Sequence, residues 1–128
     1  MKQTDEEKLK RAKENLKALK EARGGSVLES HRKMGNDPSL VKAFLDQYVN
    51  TNKTDVAIPR KYRELIVMAI GMATGTATTM KVHSELALKN GASVDDIMEV
   101  LRIVFFTCGV SKLLPALETL DLDPIDLD

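Results

Sequence analysis

The stretch PRKYRELIVMAIGMATGTATTMKVHSELALKNG, residues Pro59–Gly91, decides the fold. Proline suits the start of a helix, where its missing N–H has no bond to lose. Leu65, Ile66, Met68, Ala69 and Met72 follow as a broad apolar front with no two-residue alternation. That pattern predicts a buried helix rather than a half-exposed strand. Gly75 is placed to end it,. A second helix is expected over Thr76–Asn90, with Met80, Leu86 and Ala87 inward and Gly91 at its close. On that helix Thr76, Thr79 and His83 are spaced by three and then four residues. Such offsets share one face, so the three make a polar stripe on a mostly apolar rod. Glu64 precedes His83 by 19 residues, near the start of the first apolar run. An imidazole beside a carboxylate is what a proton-transfer site needs.

Outward from this stretch the chain keeps reading as helix after helix. Ser93 is a cap for a helix with Ile97, Val100, Leu101, Val104 and Phe105 on its buried side,. A last helix begins near Gly109 and carries Leu113, Leu114, Ala116, Leu117 and Leu120, with Pro115 in or near its first turn,. On the other side, Asp37–Pro38 opens a helix that buries Leu40, Val41, Phe44, Leu45 and Tyr48. A polar loop from Asn50 to Asp55 follows it. Ser26 with Glu29 and Thr4 with Glu7 have the spacing of capping boxes,. They predict a short helix closing before Gly35 and a first helix ending near Gly24–Gly25. The first helix has only Leu9, Ala12, Leu16, Leu19 and Ala22 as an apolar stripe. So narrow a stripe predicts a peripheral helix lying across a surface, such as that of a neighbouring subunit. The fold class is all-α, one domain over residues 1–128, with 1–25 peripheral and 59–120 as the core.

Composition narrows the partners. Aromatic residues make up 4%, so the core is built from Leu, Ile, Val, Ala and Met. The formal net charge is zero, which argues against nucleic acid as a partner,. The charged N-terminal segment and Glu118, Asp121, Asp123, Asp126 and Asp128 read as solvated ends. Cys108 is the single cysteine, so no intrachain disulfide forms, and a lone thiol suits the cytoplasm,. The longest apolar run, Leu65–Thr74, is half of the ~20 residues that span a membrane,. No zinc spacing, phosphate loop or Ser-His-Asp order occurs, and no metal or cofactor is expected,. Met68, Met72 and Met80 read as core filler,. His31, beside Arg32 and Lys33, reads as solvated or else as a second substrate-facing group, and Cys108 as a buried residue at a helix junction.

Several segments together carry a resemblance. They are Pro59-Arg-Lys-Tyr-Arg-Glu-Leu-Ile-Val-Met-Ala, His83 with Leu86-Ala-Leu-Lys-Asn-Gly-Ala, Asp96-Ile-Met-Glu-Val-Leu and Thr107-Cys-Gly-Val. In order and spacing they resemble the carboxymuconolactone decarboxylase family, whose superfamily also holds the alkylhydroperoxidase D branch. The resemblance implies an alkylhydroperoxidase D-like domain of about six to seven helices, assembled as a homotrimer or homohexamer. In the peroxidase branch a Cys-x-x-Cys pair precedes the histidine. Thr76 and Thr79 stand where those cysteines would be. Threonine forms neither thiolate nor disulfide, and Cys108 has no resolving partner in the chain, so thiol peroxidase chemistry is excluded,.

The decarboxylase branch implies loss of CO₂ from 4-carboxymuconolactone without a cofactor, giving the 3-oxoadipate enol-lactone of aromatic catabolism. His83 is then the proton donor and Glu64 the carboxylate that orients it. Thr76 or Thr79 would donate to the lactone oxygen. Arg60 and Arg63, with Arg102 behind them, would hold the substrate carboxylates through the guanidinium fork. A plainer alternative has Glu64 paired with Arg60 one helical turn away as an ordinary ion pair. The alternatives for the whole protein are a peroxidase-like antioxidant that has lost its thiols, or a non-catalytic oligomer that holds a metabolite.

Overall fold

The computed structural model describes residues 1–53 and 56–128. The chain divides into two compact units, residues 1–56 and 57–128. Thr54 and Asp55, the end of the expected polar loop, lie outside the described residues. Among the described residues all regular structure is helical, and no helix is long and apolar enough to cross a membrane.

The first unit holds α1 (Glu6–Ala22), α2 (Glu29–Met34) and α3 (Pro38–Lys53). Asp5, not Thr4, caps α1: its Oδ1 accepts the Lys8 N–H at 3.0 Å. A charged carboxylate is a better partner than a hydroxyl for the positive end of a helix. The sparse stripe of α1 finds its partner inside this unit, packing on α3. Ala12, Leu19 and Val41 are buried, and Asn15 donates to the Pro38 carbonyl at 3.1 Å. Leu40 is exposed, one position off the Val41 stripe. The helix α3 continues through Asn50 to Lys53, where a loop was expected.

Ser26 does not cap α2; Leu28 holds the cap position, and its N–H donates to His31 Nδ1 at 3.1 Å. His31 thereby fills the place a Glu or Gln takes in a capping box. The expectation of a solvated or substrate-facing His31 fails, because its ring is 4% exposed and tilted against Phe44 at 5.0 Å. A ring nitrogen that accepts an N–H carries no proton, so the native ring is neutral. Burial, and then the charge of Arg23, hold its pKa below the ordinary imidazole value. Arg23 itself lies over the Tyr48 ring on α3. The unfolded chain therefore binds this proton more tightly than the native one. The contribution is complete above about pH 6.5 and is lost as pH falls below it. Protection of the Leu28 amide from hydrogen exchange, taken relative to its intrinsic rate, is expected to fall as pH drops from 7.5 to 5.5. In His31→Gln, where an uncharged side chain keeps the acceptor, that loss of protection should vanish.

The second unit holds α4 (Arg60–Thr74), α5 (Ala77–Lys89), α6 (Val94–Cys108), a 3-10 turn at Val110–Lys112 and α7 (Leu113–Thr119). Pro59 caps α4, and Gly75 ends it in the left-handed region at φ 72°, reversing the chain into α5. The two helices make the most extensive contact in the unit. Gly71 permits that approach: a Cβ there would stand 2.9 Å from the Met80 backbone nitrogen. Leu65, Met68, Met72, Met80, Ala87, Ile97, Leu101, Val104, Ala116 and Leu120 make one core. Each large side chain of this kind contributes roughly 1.5–3 kcal/mol when fully buried.

At α6 a capping box closes as the spacing predicts: Ser93 Oγ accepts the Asp96 N–H, and Asp96 Oδ2 accepts the Ser93 N–H at 2.8 Å. The same carboxylate oxygen takes Lys61 Nζ at 3.2 Å, tying α6 to α4. The Ser93 backbone N–H, followed by Lys61, holds the Asp96 carboxyl below its ordinary range. Ile66 and Phe105 were expected inside and are exposed, as are Leu114 and Leu117 of α7. Ile66 sits beside buried Leu65 and off the line of Leu65, Met68 and Met72, so it falls off the packed stripe,. Cys108 is likewise exposed, one turn beyond Val104, the last buried side chain of α6.

Candidate functional site

The site is built on the α4–α5 pair. Glu64 lies in the second turn of α4 and is 3% exposed. A buried carboxylate needs partners for its charge, and this one has two. Arg60, one turn earlier on the same helix, donates from Nε to Oε1. His83, across the hairpin on α5, sets Nδ1 at 2.5 Å from Oε2. The offset of four residues aligns Arg60 with Glu64. The reversal at Gly75 and the close approach at Gly71 bring His83 to the other oxygen. The carboxylate thus bridges a fixed cation and an imidazole.

An ionised carboxylate only accepts, so Nδ1 of His83 carries the proton of that contact. Its other ring nitrogen, Nε2, is left for a solute. The side chain of His83 is 28% exposed, enough for solvent or a small molecule to reach it. The pair therefore has one buried, charge-holding end and one accessible end. That is the polarity a general acid needs.

The remaining expected site residues are placed less uniformly. Thr79 is half-buried on α5, one turn before His83, with its methyl toward Gly71. Among the described residues its hydroxyl has no hydrogen-bond partner. Thr76 caps the start of α5 and is exposed, with Oγ1 at 3.0 Å from Thr74 Oγ1. Thr74 gives its own proton to the Ile70 carbonyl, so Thr76 is the donor of that pair. Arg63 is half-buried on α4, and Arg102 is exposed on α6. The Met68, Met72 and Met80 side chains belong to the core. Among the described residues no group of three or more His, Cys, Asp or Glu side chains stands close enough to hold a metal ion.

Two readings of Glu64 stood as alternatives, an ion pair with Arg60 or a partner for His83. The structure joins them, since each oxygen serves one. The Lys61–Asp96 tie had no signal in the sequence. Its members are 35 residues apart, and only the packing of α6 on α4 brings them together.

No curated protein and no solved structure matches the chain. The profile of the carboxymuconolactone decarboxylase family matches residues 39–121, from the start of α3 to just beyond α7. With the all-helical fold and a match over more than half its length, the chain belongs to the carboxymuconolactone decarboxylase family.

Proposed function

We propose that the protein is a cofactor-independent decarboxylase of a small acidic lactone, 4-carboxymuconolactone or a close relative. The observation that carries this reading is the Glu64 carboxylate held between Arg60 and the half-exposed His83. In the reaction the bond to the substrate carboxyl carbon breaks and CO₂ leaves. Its electron pair delocalises through the ring double bond onto the lactone carbonyl. The proton on His83 Nε2 is then delivered to carbon. The ring is left neutral with its Nδ1 proton still donated to Glu64, and solvent returns the spent proton at the accessible Nε2.

Thr79 is the better donor to the developing oxyanion, because the Thr76 proton is already given to Thr74. Arg63 serves the substrate carboxylates through its guanidinium fork, while Arg60 is engaged by Glu64. The peroxidase reading has no chemistry to stand on, because the only thiol is Cys108. A homotrimer or homohexamer goes with this function. It is supported by apolar side chains left outside the second unit, Ile70, Ile103 and Phe106 among them.

The test is direct. Purified protein mixed with 4-carboxymuconolactone is expected to release CO₂. His83→Ala should slow release by about 10²–10⁴-fold, the worth of a positioned general acid, with its helical circular dichroism unchanged. A parent that releases no CO₂ removes the lactone. A variant as fast as the parent removes His83 from the acid's role.

A further inference from the structure

We propose that Arg60 is a positioning residue that acts on His83 through Glu64, a role that rests on the proton-donor reading above. Arginine near an acidic substrate is ordinarily assigned to the substrate's carboxylate. Here the guanidinium Nε is already engaged by Glu64 Oε1. The two residues share one helix and one face, so the contact is set by α4 itself and not by any ligand,.

Two physical consequences follow for His83. The first is geometric. The terminal torsion of a glutamate is broad, and its carboxylate turns easily when only one oxygen is held. Arg60 fixes Oε1 from within α4, which aims Oε2 across the hairpin at His83 Nδ1. That contact selects the ring form with its proton on Nδ1 and leaves Nε2 toward solvent. The second is electrostatic. Once His83 has given its proton away, the neutral ring no longer compensates a carboxylate that is 3% exposed. A buried charge without a counter-charge is costly. The Arg60 guanidinium supplies the counter-charge through that half of the cycle,. Its side chain is 36% exposed, so it carries its own charge at little desolvation cost.

The role separates from substrate binding in kinetics. A substrate-binding arginine shows its loss in KM, and a positioning one shows it in kcat. The test uses the full chain with Arg60→Met and Arg60→Lys. Methionine keeps helix propensity and the length of the side chain while removing charge and donor. Long-range proton–nitrogen spectra of the neutral His83 ring are expected to show one form, protonated on Nδ1, in the parent. In Arg60→Met they should show a mixture of the two ring forms, and in Arg60→Lys the parent's form again. With the lactone, Arg60→Met should lower kcat by about tenfold or more, the scale of a small misplacement of a catalytic group. Its KM should stay at the parent's value, and Arg60→Lys should recover most of the rate.

An Arg60→Met variant with the parent's ring form overturns the proposal, as does a raised KM at unchanged kcat. If the parent does not turn over the lactone, the function proposed above fails by itself, and the ring spectra alone decide the role of Arg60.

Discussion

Glu64→Gln is expected to leave the helices in place and to lower the rate of CO₂ release by about 10²–10⁴-fold, as loss of a general acid does. The substitution keeps the shape of the side chain and changes only what its two terminal atoms can do. In the parent both atoms accept, one from Arg60 Nε and the other from His83 Nδ1. A glutamine has one acceptor and one donor. If its oxygen faces Arg60, its amide N–H faces Nδ1, and the ring must give up the Nδ1 proton to accept. The ring's proton then resides on Nε2 with nothing behind it to support an imidazolium. If the amide turns round, its N–H group and that of Arg60 oppose each other. The first arrangement keeps both hydrogen bonds and loses the charge; only the second holds a bad contact. Hydrogen bonds to a charged group are worth about 1 kcal/mol more than neutral ones, so a modest loss of thermal stability should accompany the larger loss of rate. Steady-state rates and melting curves on the same preparation separate the two. A Glu64→Gln variant within threefold of the parent's kcat would mean that the carboxylate charge plays no part in the reaction.

The helical fold was legible because its signals are local. Pro59, Gly75, Ser93 and the runs between them fix α4, α5 and α6 by propensity and spacing alone. The faces were less legible. Leu65, Met68 and Met72 mark the buried stripe of α4, yet Ile66 looks equally apolar in a list of residues and points elsewhere. Exposed apolar side chains of this kind carry no mark in one sequence. At the site, the four-residue offset announced Arg60 with Glu64, and the family resemblance announced Glu64 with His83. Neither told that one carboxylate serves both, because that depends on how closely α4 and α5 approach. His31 was misread for a related reason. Its neighbours Arg32 and Lys33 suggested solvent, while its own role is to accept the Leu28 N–H from beneath Phe44.

Gly71→Ala is expected to part His83 from Glu64, although the change adds only one methyl group. Two effects oppose each other. Alanine favours a helix over glycine by up to about 1 kcal/mol, which would stabilise α4. The new Cβ, however, would stand 2.9 Å from the Met80 backbone nitrogen and 3.1 Å from Thr79 Cγ2. Side-chain atoms turn aside cheaply, but a backbone nitrogen within a helix does not move alone. The whole of α5 must shift outward, and overpacking of this kind costs roughly 1–3 kcal/mol. The steric term is therefore the larger, and a net loss of stability is expected in chemical unfolding.

The functional loss should exceed the structural one. Met80 and Thr79 lie within one turn of His83, so the ring travels with the backbone that the methyl displaces. A contact of 2.5 Å does not survive a shift of an ångström. Misplacement on that scale is worth about 10²-fold in rate, and the His83 ring should at the same time lose its single protonated form. The control is built into the helix, since Ala69→Gly removes a methyl two residues away and lowers propensity without wedging the pair apart. If Gly71→Ala melts higher than the parent and keeps its rate, helix propensity outweighs the wedge. The α4–α5 spacing would then not be what holds the histidine to its acid.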